Sequence, residues 1–164
     1  MVKSDGWRTP KWFFDYCNHG FEVDAAADKD NALCSEYWDE SIDGLKQSWE
    51  DRSVWCNPPW SNIFPWVEKA LTSKAKWWLL LLPVRADTSW FHLILAYSRA
   101  SEVNIIMHKG RLAFDDPFSK GRTAPREATM CVLPGQGQIL SLDLKLAKSK
   151  QEEGENRTRI KLLD

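Results

Sequence analysis

Residues 77–83 read WWLLLLP, seven consecutive apolar positions in a chain of 164 residues. A strand with one face in water alternates apolar and polar residues, whereas a strand covered on both faces is apolar throughout. The run is also far shorter than the roughly 20 residues that a membrane-spanning helix needs. It therefore predicts the central strand of a sheet that has other elements packed on both faces.

Further elements are predicted on both sides of this strand. The short apolar segment 21–24 ends at an acid, and the segment 53–56 is followed by Asn57 and a proline pair. Both segments predict buried strands. Apolar residues at helical spacing predict a helix over 63–75, and Asp87 is expected to cap a second helix that runs to Ser98. Strands are also predicted at 102–107, 111–114 and 129–133. The alternation of strands and helices predicts a three-layer α/β domain whose mostly parallel sheet has an antiparallel edge.

Length and composition favour a single domain. At roughly 100 to 200 residues per domain, the chain makes one domain, and 43% hydrophobic residues are enough for a core. We assign this domain to residues 1–147 and expect the polar segment 148–164 to form an unstructured tail. The polar start predicts a soluble, unexported protein. Four cysteines without a C-x-x-C pair and three histidines without zinc-ligand spacing predict reduced thiols and no metal site.

A ligand site is expected where the strands end, because open α/β sheets bind ligands beyond the carboxyl ends of their strands. Asp24 ends the first predicted strand and is followed by Ala25, Ala26 and Ala27. Three small side chains allow a ligand to approach the backbone, and the carboxylate suits its cationic or hydroxyl groups. No G-x-G-x-x-G is present, which disfavours a pyrophosphate site. A turn that needs small residues only for packing is an equal alternative.

The second strand end carries a more specific peptide, Asn57-Pro58-Pro59-Trp60. The side-chain oxygen of Asn57 and the main-chain carbonyl of Pro58 are able to accept both hydrogens of one planar amine, and the prolines fix the backbone. Two acceptors stabilise the positive charge that develops on a nitrogen attacking an electrophilic carbon. Trp60 is suited to stack on a ring. The alternative is a rigid turn with a packed tryptophan.

Charge is distributed unevenly along the chain, although the net charge is only -1. Residues 20–51 contain ten acids and two bases, and residues 69–126 contain ten bases and four acids. This asymmetry suits a cationic small molecule on one side of a site and a polyanion on the other. The basic residues near turns are expected to contact phosphates, and they are Lys109, Arg111, Lys120, Arg122 and Arg126.

Taken together, these motifs resemble the small phage-type DNA N6-adenine methyltransferases of the Dam family, which use S-adenosylmethionine. The resemblance implies a Rossmann-like methyltransferase fold, DNA as the substrate, and action in the cytoplasm of a bacterial host. The segments that carry it are Trp7 to Pro10, Phe21 to Ala27, Asn31, Asp43-Gly44-Leu45, Trp55 to Ser61, Trp66 to Ala70, Leu82 to Arg85 and Gly110 to Phe114.

The resemblance also implies roles for individual residues. The cofactor-binding residues are Trp7, Thr9, Pro10, Phe13, Asp24, Ala25, Ala26, Ala27, Asn31, Asp43 and Leu45. The catalytic residues are Asn57, Pro58, Pro59 and Trp60, and Arg85 joins the basic residues that are expected to bind DNA. The motif departs from the family in two places, with asparagine where aspartate is frequent and tryptophan where tyrosine or phenylalanine is common. Asn57 lacks a charge and would stabilise a cationic intermediate less than aspartate does.

Two other functions remain open at this point. One is an S-adenosylmethionine-dependent methyltransferase that acts on RNA or on a protein glutamine, because the N-P-P-aromatic motif is shared with such enzymes. The other is a catalytically silent module that binds nucleic acid or cofactor. For DNA, the target base must leave the duplex to reach the site, and Trp60 would offset part of that cost by stacking. The oligomeric state is not indicated by the sequence.

Overall fold

The computed structural model describes residues 5–117, 122–123 and 127–154. Seven strands form one sheet in the order β2-β1-β3-β4-β8-β5-β9, and β6 and β7 form a separate two-stranded sheet. The strands are β1 Val23–Asp24, β2 Glu36–Tyr37, β3 Ser53–Cys56, β4 Trp77–Pro83, β5 Val103–Lys109, β6 Phe114–Asp115, β7 Arg122–Thr123, β8 Thr129–Pro134 and β9 Ile139–Asp143. The helices are α1 Lys11–Cys17, α2 Phe64–Thr72, α3 Ser89–Arg99 and α4 Leu144–Glu152.

The central strand is where the sequence predicts it. β4 occupies the middle of the large sheet, between β3 and β8, and from Trp78 to Pro83 it is buried. The four leucines at its centre, Leu79 to Leu82, are at most 1% exposed. Helices pack in two pairs, α1 with α4 and α2 with α3. Because successive residues of a strand face opposite sides, the burial of all four leucines shows that both faces of β4 are covered.

The sheet is mostly parallel, and the prediction of an antiparallel edge was wrong about the position. In the large sheet, β8 runs antiparallel to both of its neighbours, β4 and β5, and lies between them. The other pairs, including β5 with β9 at one end, are parallel. The antiparallel strand is therefore interior, and it joins two parallel groups.

Several boundaries differ from those predicted. α3 begins at Ser89 because Thr88 caps it: the Thr88 hydroxyl oxygen accepts a hydrogen bond from the amide of Phe91 at 3.4 Å, so Asp87 is not the cap. Residues 111–113 are not a strand, because the chain turns at Gly110, whose φ of 91° is in the left-handed region. Only Phe114 of that predicted strand belongs to one, β6.

The expected polar tail begins inside a helix. Asp143 caps α4, with its carboxylate accepting from the amides of Lys145 and Leu146 at 3.0 and 3.2 Å. The cap and the buried side chains of Leu144 and Ala147 explain why this polar segment is helical as far as Glu152. The prediction of an unstructured segment from 148 was therefore wrong for 148–152. Residues 155–164 lie outside the described ranges. None of the helices described is long and apolar enough to cross a membrane.

Candidate active site

The strand order creates a crevice between β1 and β3. The chain leaves β1 toward β2 on one side, and it leaves β3 toward β4 on the other, so the carboxyl ends of β1 and β3 flank the point where the connections diverge. Ligands of open α/β sheets bind at such a point. Asp24 ends β1, and the NPPW loop (Asn57–Trp60) follows β3 directly. The two peptides singled out in the sequence are therefore neighbours.

Two adjoining cavities occupy this crevice. The inner cavity has a volume of about 40 Å³ and touches Asp24, Asn57 and Trp60. The outer cleft has a volume of about 540 Å³, within the range of small-molecule sites. Asp5, Ala26, Ala27 and Asn31 line both. One continuous site thus joins the NPPW loop to the end of β1.

Asp24 is a buried carboxylate at the centre of this site, with an exposed fraction of 3%. Its oxygens accept hydrogen bonds from the amides of Leu33 at 3.2 Å and Ala26 at 3.5 Å. Burial raises the pKa of Asp24 to about 6, and these two hydrogen bonds oppose the shift. A buried carboxylate without a cationic partner is costly. A positively charged group bound beside Asp24 would offset this cost.

Gly44 brings a second loop against the end of β1. A Cβ at this position would lie 2.1 Å from the carbonyl oxygen of Ala25, so only glycine allows the approach. The preceding residue, Asp43, has a φ of 58°, and its carboxylate accepts from the amide of Leu45 at 3.1 Å. The carboxylate also pairs with Lys46 at 3.2 Å. The Asp43-Gly44 dipeptide thus builds one wall of the outer cleft.

The walls of the outer cleft are acidic. Four acids of the segment 20–51 line it, Asp28, Asp39, Glu40 and Asp43, together with Asp5 from the start of the chain. Trp38 and Trp66 provide aromatic surface in the same cleft. This composition suits a ligand with a flat ring and a positive charge, as the charge distribution in the sequence predicts.

The side chain of Asn57 is held in one orientation. Its Nδ2 donates to the Thr9 hydroxyl at 3.2 Å and approaches the carbonyl oxygen of Trp7 at 3.5 Å. Its Oδ1 accepts from the indole Nε1 of Trp60 at 3.2 Å. A main-chain carbonyl only accepts and an indole N–H only donates, so these partners fix which end of the amide is oxygen. Oδ1 faces Trp60 and has a second lone pair for another donor.

The N-terminal segment 5–9 closes one side of the NPPW loop. The carboxylate of Asp5 accepts from the amide and the hydroxyl of Ser61 at 3.0 and 2.6 Å. The main chain of Arg8 forms two hydrogen bonds with the main chain of Asp115 in β6, as in an antiparallel strand pair. Beside these hydrogen bonds, Phe114 packs edge-on against Trp60, with ring centroids 5.4 Å apart. The segment therefore ties the NPPW loop to the small sheet.

Most of the predicted cofactor and catalytic residues line the two cavities. They are Trp7, Thr9, Asp24, Ala25, Ala26, Ala27, Asn31, Asp43, Asn57, Pro58, Pro59 and Trp60. Pro10, Phe13 and Leu45 line neither. Phe13 is fully buried and packs edge-on to His108 at 5.2 Å, so it supports α1 from within the core. Burial also lowers the pKa of His108 to about 4, which fits the core position.

Other lining residues carried no role in the sequence analysis. They are Asp5, Arg8, Asp28, Leu33, Trp38, Asp39, Glu40, Ser41, Gly44, Trp55 and Trp66. The excess of acids in 20–51 was the one signal that pointed to Asp28, Asp39 and Glu40. Trp66 belongs to one of the segments that carry the resemblance, but no individual role was assigned to it. No three His, Cys, Asp or Glu side chains form a metal-binding group within the ranges described.

Arg85 and Lys109, both expected to bind DNA, have carboxylate partners within the chain. Arg85 pairs with Glu127 and also donates to the main-chain carbonyl of Trp60 at 3.1 Å. Lys109 pairs with Asp143 at 3.0 Å. Arg111 is exposed, and the backbone of Arg122 lies in β7. Lys120 and Arg126 lie outside the described residues.

A mixed seven-stranded sheet with a buried acid and an Asn-Pro-Pro-Trp loop at the point of divergence is the architecture of the Rossmann-like methyltransferases. The family model described as DNA N-6-adenine-methyltransferase (Dam) matches residues 1–155, and the chain belongs to this family.

Two phage proteins, each called DNA N-6-adenine-methyltransferase, are similar to the chain. That of Haemophilus phage HP1 (strain HP1c1) is 32% identical over 96 residues, which cover 54% of this chain and 56% of the relative. That of Escherichia phage T1 is 32% identical over 93 residues, which cover 53% of this chain and 39% of the relative. The matches thus span about half of the first relative and less than half of the second.

Proposed function

We propose that this chain transfers a methyl group from S-adenosylmethionine to the N6 amine of adenine in DNA. The observation that carries the proposal is the shared cavity that joins Asn57 and Trp60 to Asp24. Membership of the Dam family and the names of the two phage relatives support the reaction and the substrate.

The volume and the acidic lining of the outer cleft suit S-adenosylmethionine. This cofactor supplies an electrophilic methyl group on a positively charged sulfur, and it carries an adenosine ring system. Asp24 in the inner cavity and the acids of the outer cleft would balance the positive charge. Trp38, Trp66 and the Asp43-Gly44 wall would hold the adenosine. Ala25 to Ala27 would let the ligand approach the backbone at the end of β1.

The NPPW loop would hold the target amine. The second lone pair of Asn57 Oδ1 and the carbonyl oxygen of Pro58 would each accept one N–H of the amine. These acceptors stabilise the positive charge that grows on N6 as its lone pair forms the bond to the methyl carbon and the carbon–sulfur bond breaks. The surplus proton leaves afterwards to water. Asn57 acts through its dipole, so no general base is required at this position.

Trp60 would contact the extruded base. In the structure its ring lies edge-on to Phe114 and its N–H is bonded to Asn57, with an exposed fraction of 9%. Entry of a base requires the indole to shift and to expose a face. Stacking on an aromatic ring contributes about 1–3 kcal/mol, which offsets part of the cost of taking the base out of the duplex.

The test is incubation of the purified protein with unmethylated DNA and S-adenosylmethionine labelled in its methyl group, followed by analysis of the nucleosides. We expect label in N6-methyladenine. Asn57→Ala should lower turnover at least about a hundredfold with little change in cofactor affinity, since its contacts serve the developing charge. Asn62→Ala is the matched control, because this asparagine is exposed beside the loop. Label in RNA or in protein glutamine, with none in DNA, would contradict the proposed substrate.

A further inference from the structure

Arg85 is bonded to two parts of the chain that are remote in sequence. Its Nε and one terminal nitrogen donate to the two carboxylate oxygens of Glu127, at 2.6 and 2.8 Å. Its other terminal nitrogen donates to the main-chain carbonyl of Trp60 at 3.1 Å. Three of the five guanidinium N–H groups are thereby used within the molecule.

The sheet brings these three residues together. β4 and β8 are antiparallel with Pro83 opposite Thr129, and the same register continued by two residues places Arg85 opposite Glu127. β3 and β4 are parallel neighbours, so the loop after β3 and the residues after β4 emerge at the same edge. Arg85 therefore spans from β8 to the NPPW loop at the edge where the site lies.

We propose that Arg85 is a positioning residue for methyl transfer, which holds the NPPW loop at Trp60 while Glu127 fixes the plane of its guanidinium. This inference rests on the proposed function for its kinetic consequences. A guanidinium group that donates two hydrogen bonds to one carboxylate has little freedom to rotate, so the direction of its other terminal N–H groups is fixed. The carbonyl that it holds belongs to the residue that would stack on the base.

The competing role for Arg85 is the phosphate contact suggested by sequence, and the two roles differ in what Glu127 does. If Arg85 binds a phosphate, Glu127 competes with DNA for the guanidinium, and neutralising Glu127 should strengthen DNA binding. If Arg85 positions the loop, Glu127 supports it, and neutralising Glu127 should slow turnover. Glu127→Gln thus changes a different quantity under each role, DNA affinity under the first and turnover under the second.

The experiment compares Arg85→Gln and Glu127→Gln with the wild type. We expect kcat to fall about tenfold or more in both variants, because each breaks a hydrogen bond to a charged group. KM for cofactor should stay within about twofold, and the slope of DNA affinity against salt should be unchanged. Arg99→Gln is the control, because this arginine is exposed at the end of α3.

A second measurement does not depend on activity. The amides of Ser61 and Asn62, bonded to Asp5 and Pro59, report the order of the loop next to Trp60. In the protein without DNA, their hydrogen exchange should accelerate about tenfold in both variants, while amides of β4 stay unchanged.

The outcomes separate the inference from the proposed function. A wild type that does not methylate DNA overturns the proposed function, and the exchange rates then decide the inference by themselves. Unchanged exchange at Ser61 and Asn62 overturns the positioning role. A second pair of results would also overturn it: the slope of DNA affinity against salt falls by about one in Arg85→Gln, and Glu127→Gln binds DNA more tightly. Together these results would establish the phosphate contact.

Discussion

Asp24→Asn should make the protein without cofactor more stable at neutral pH and, at the same time, weaken cofactor binding. The wild-type carboxyl has a pKa raised from 3.8 to about 6 by burial, so its ionised form is disfavoured in the folded state. An amide of the same shape carries no charge to desolvate. A stabilising substitution that removes ligand affinity is the signature of a residue kept for binding.

The magnitude follows from the shift of the pKa. A rise of about two units costs about 3 kcal/mol at pH 7, at 1.36 kcal/mol per unit. Asparagine has one side-chain oxygen and loses one of the two amide hydrogen bonds, from Ala26 or Leu33, which costs about 1 kcal/mol. The net gain for Asp24→Asn is therefore about 2 kcal/mol at pH 7. Because the folded pKa is raised, the stability of the wild type falls as pH rises toward and through 6.

The assay is urea unfolding of both proteins without cofactor at pH 5 and pH 7. Relative to Asp24→Asn, the wild type should lose about 1 kcal/mol between these pH values. Calorimetry with S-adenosylmethionine at pH 7.5 should show affinity weakened at least about tenfold, as expected when a charged hydrogen-bonding partner is removed. Asp30→Asn, at an exposed acid, is the control. A difference in stability that does not change with pH would refute the argument that burial controls this carboxyl.

Three further changes test other parts of the site. Gly44→Ala should destabilise the protein by more than about 2 kcal/mol in urea and weaken cofactor binding, because the new Cβ meets the Ala25 carbonyl. Burial lowers the pKa of His108 from 6.5 to about 4, so between these pH values the unfolded state takes up a proton that the folded state does not. The wild type should therefore lose about 3 kcal/mol of stability between pH 7 and pH 4 through this residue, and His108→Gln should abolish that loss in urea unfolding. Trp60→Phe keeps a stacking face and should retain DNA methylation within about tenfold of the wild type, whereas Trp60→Ala should lose more. Equal rates for the two Trp60 variants would exclude stacking.

The buried strands could be predicted from sequence, and the exposed ones could not. β3 and β4 are continuous apolar segments, so burial on both faces leaves a clear pattern. β2 is only two residues, Glu36 and Tyr37, and neither is buried. β9 exposes Ile139 and Ser141 and buries Leu142, a pattern too weak to separate from a loop. The interior position of β8 was also hidden, because a sequence pattern indicates burial but not which strands are neighbours.

The two peptides of the site could be predicted because each is local. Asp24 and Asn57 follow directly from strand ends, and the rule for open α/β sheets places them together. Arg85 is the opposite case: its partner Glu127 is 42 positions away, and only the β4–β8 register brings them together. The resemblance implied a DNA contact for Arg85, and only the structure shows that its carboxylate partner lies within the same chain.

The interior place of β8 determines when the sheet can be completed during synthesis. β4 and β5 leave the ribosome before β8, but they do not pair with each other, and each pairs with this strand, which ends at Pro134. A nascent chain that stops before β8 would expose unpaired edges on both strands, which favours aggregation. Cooperative folding of the large sheet must therefore wait until β8 has been translated.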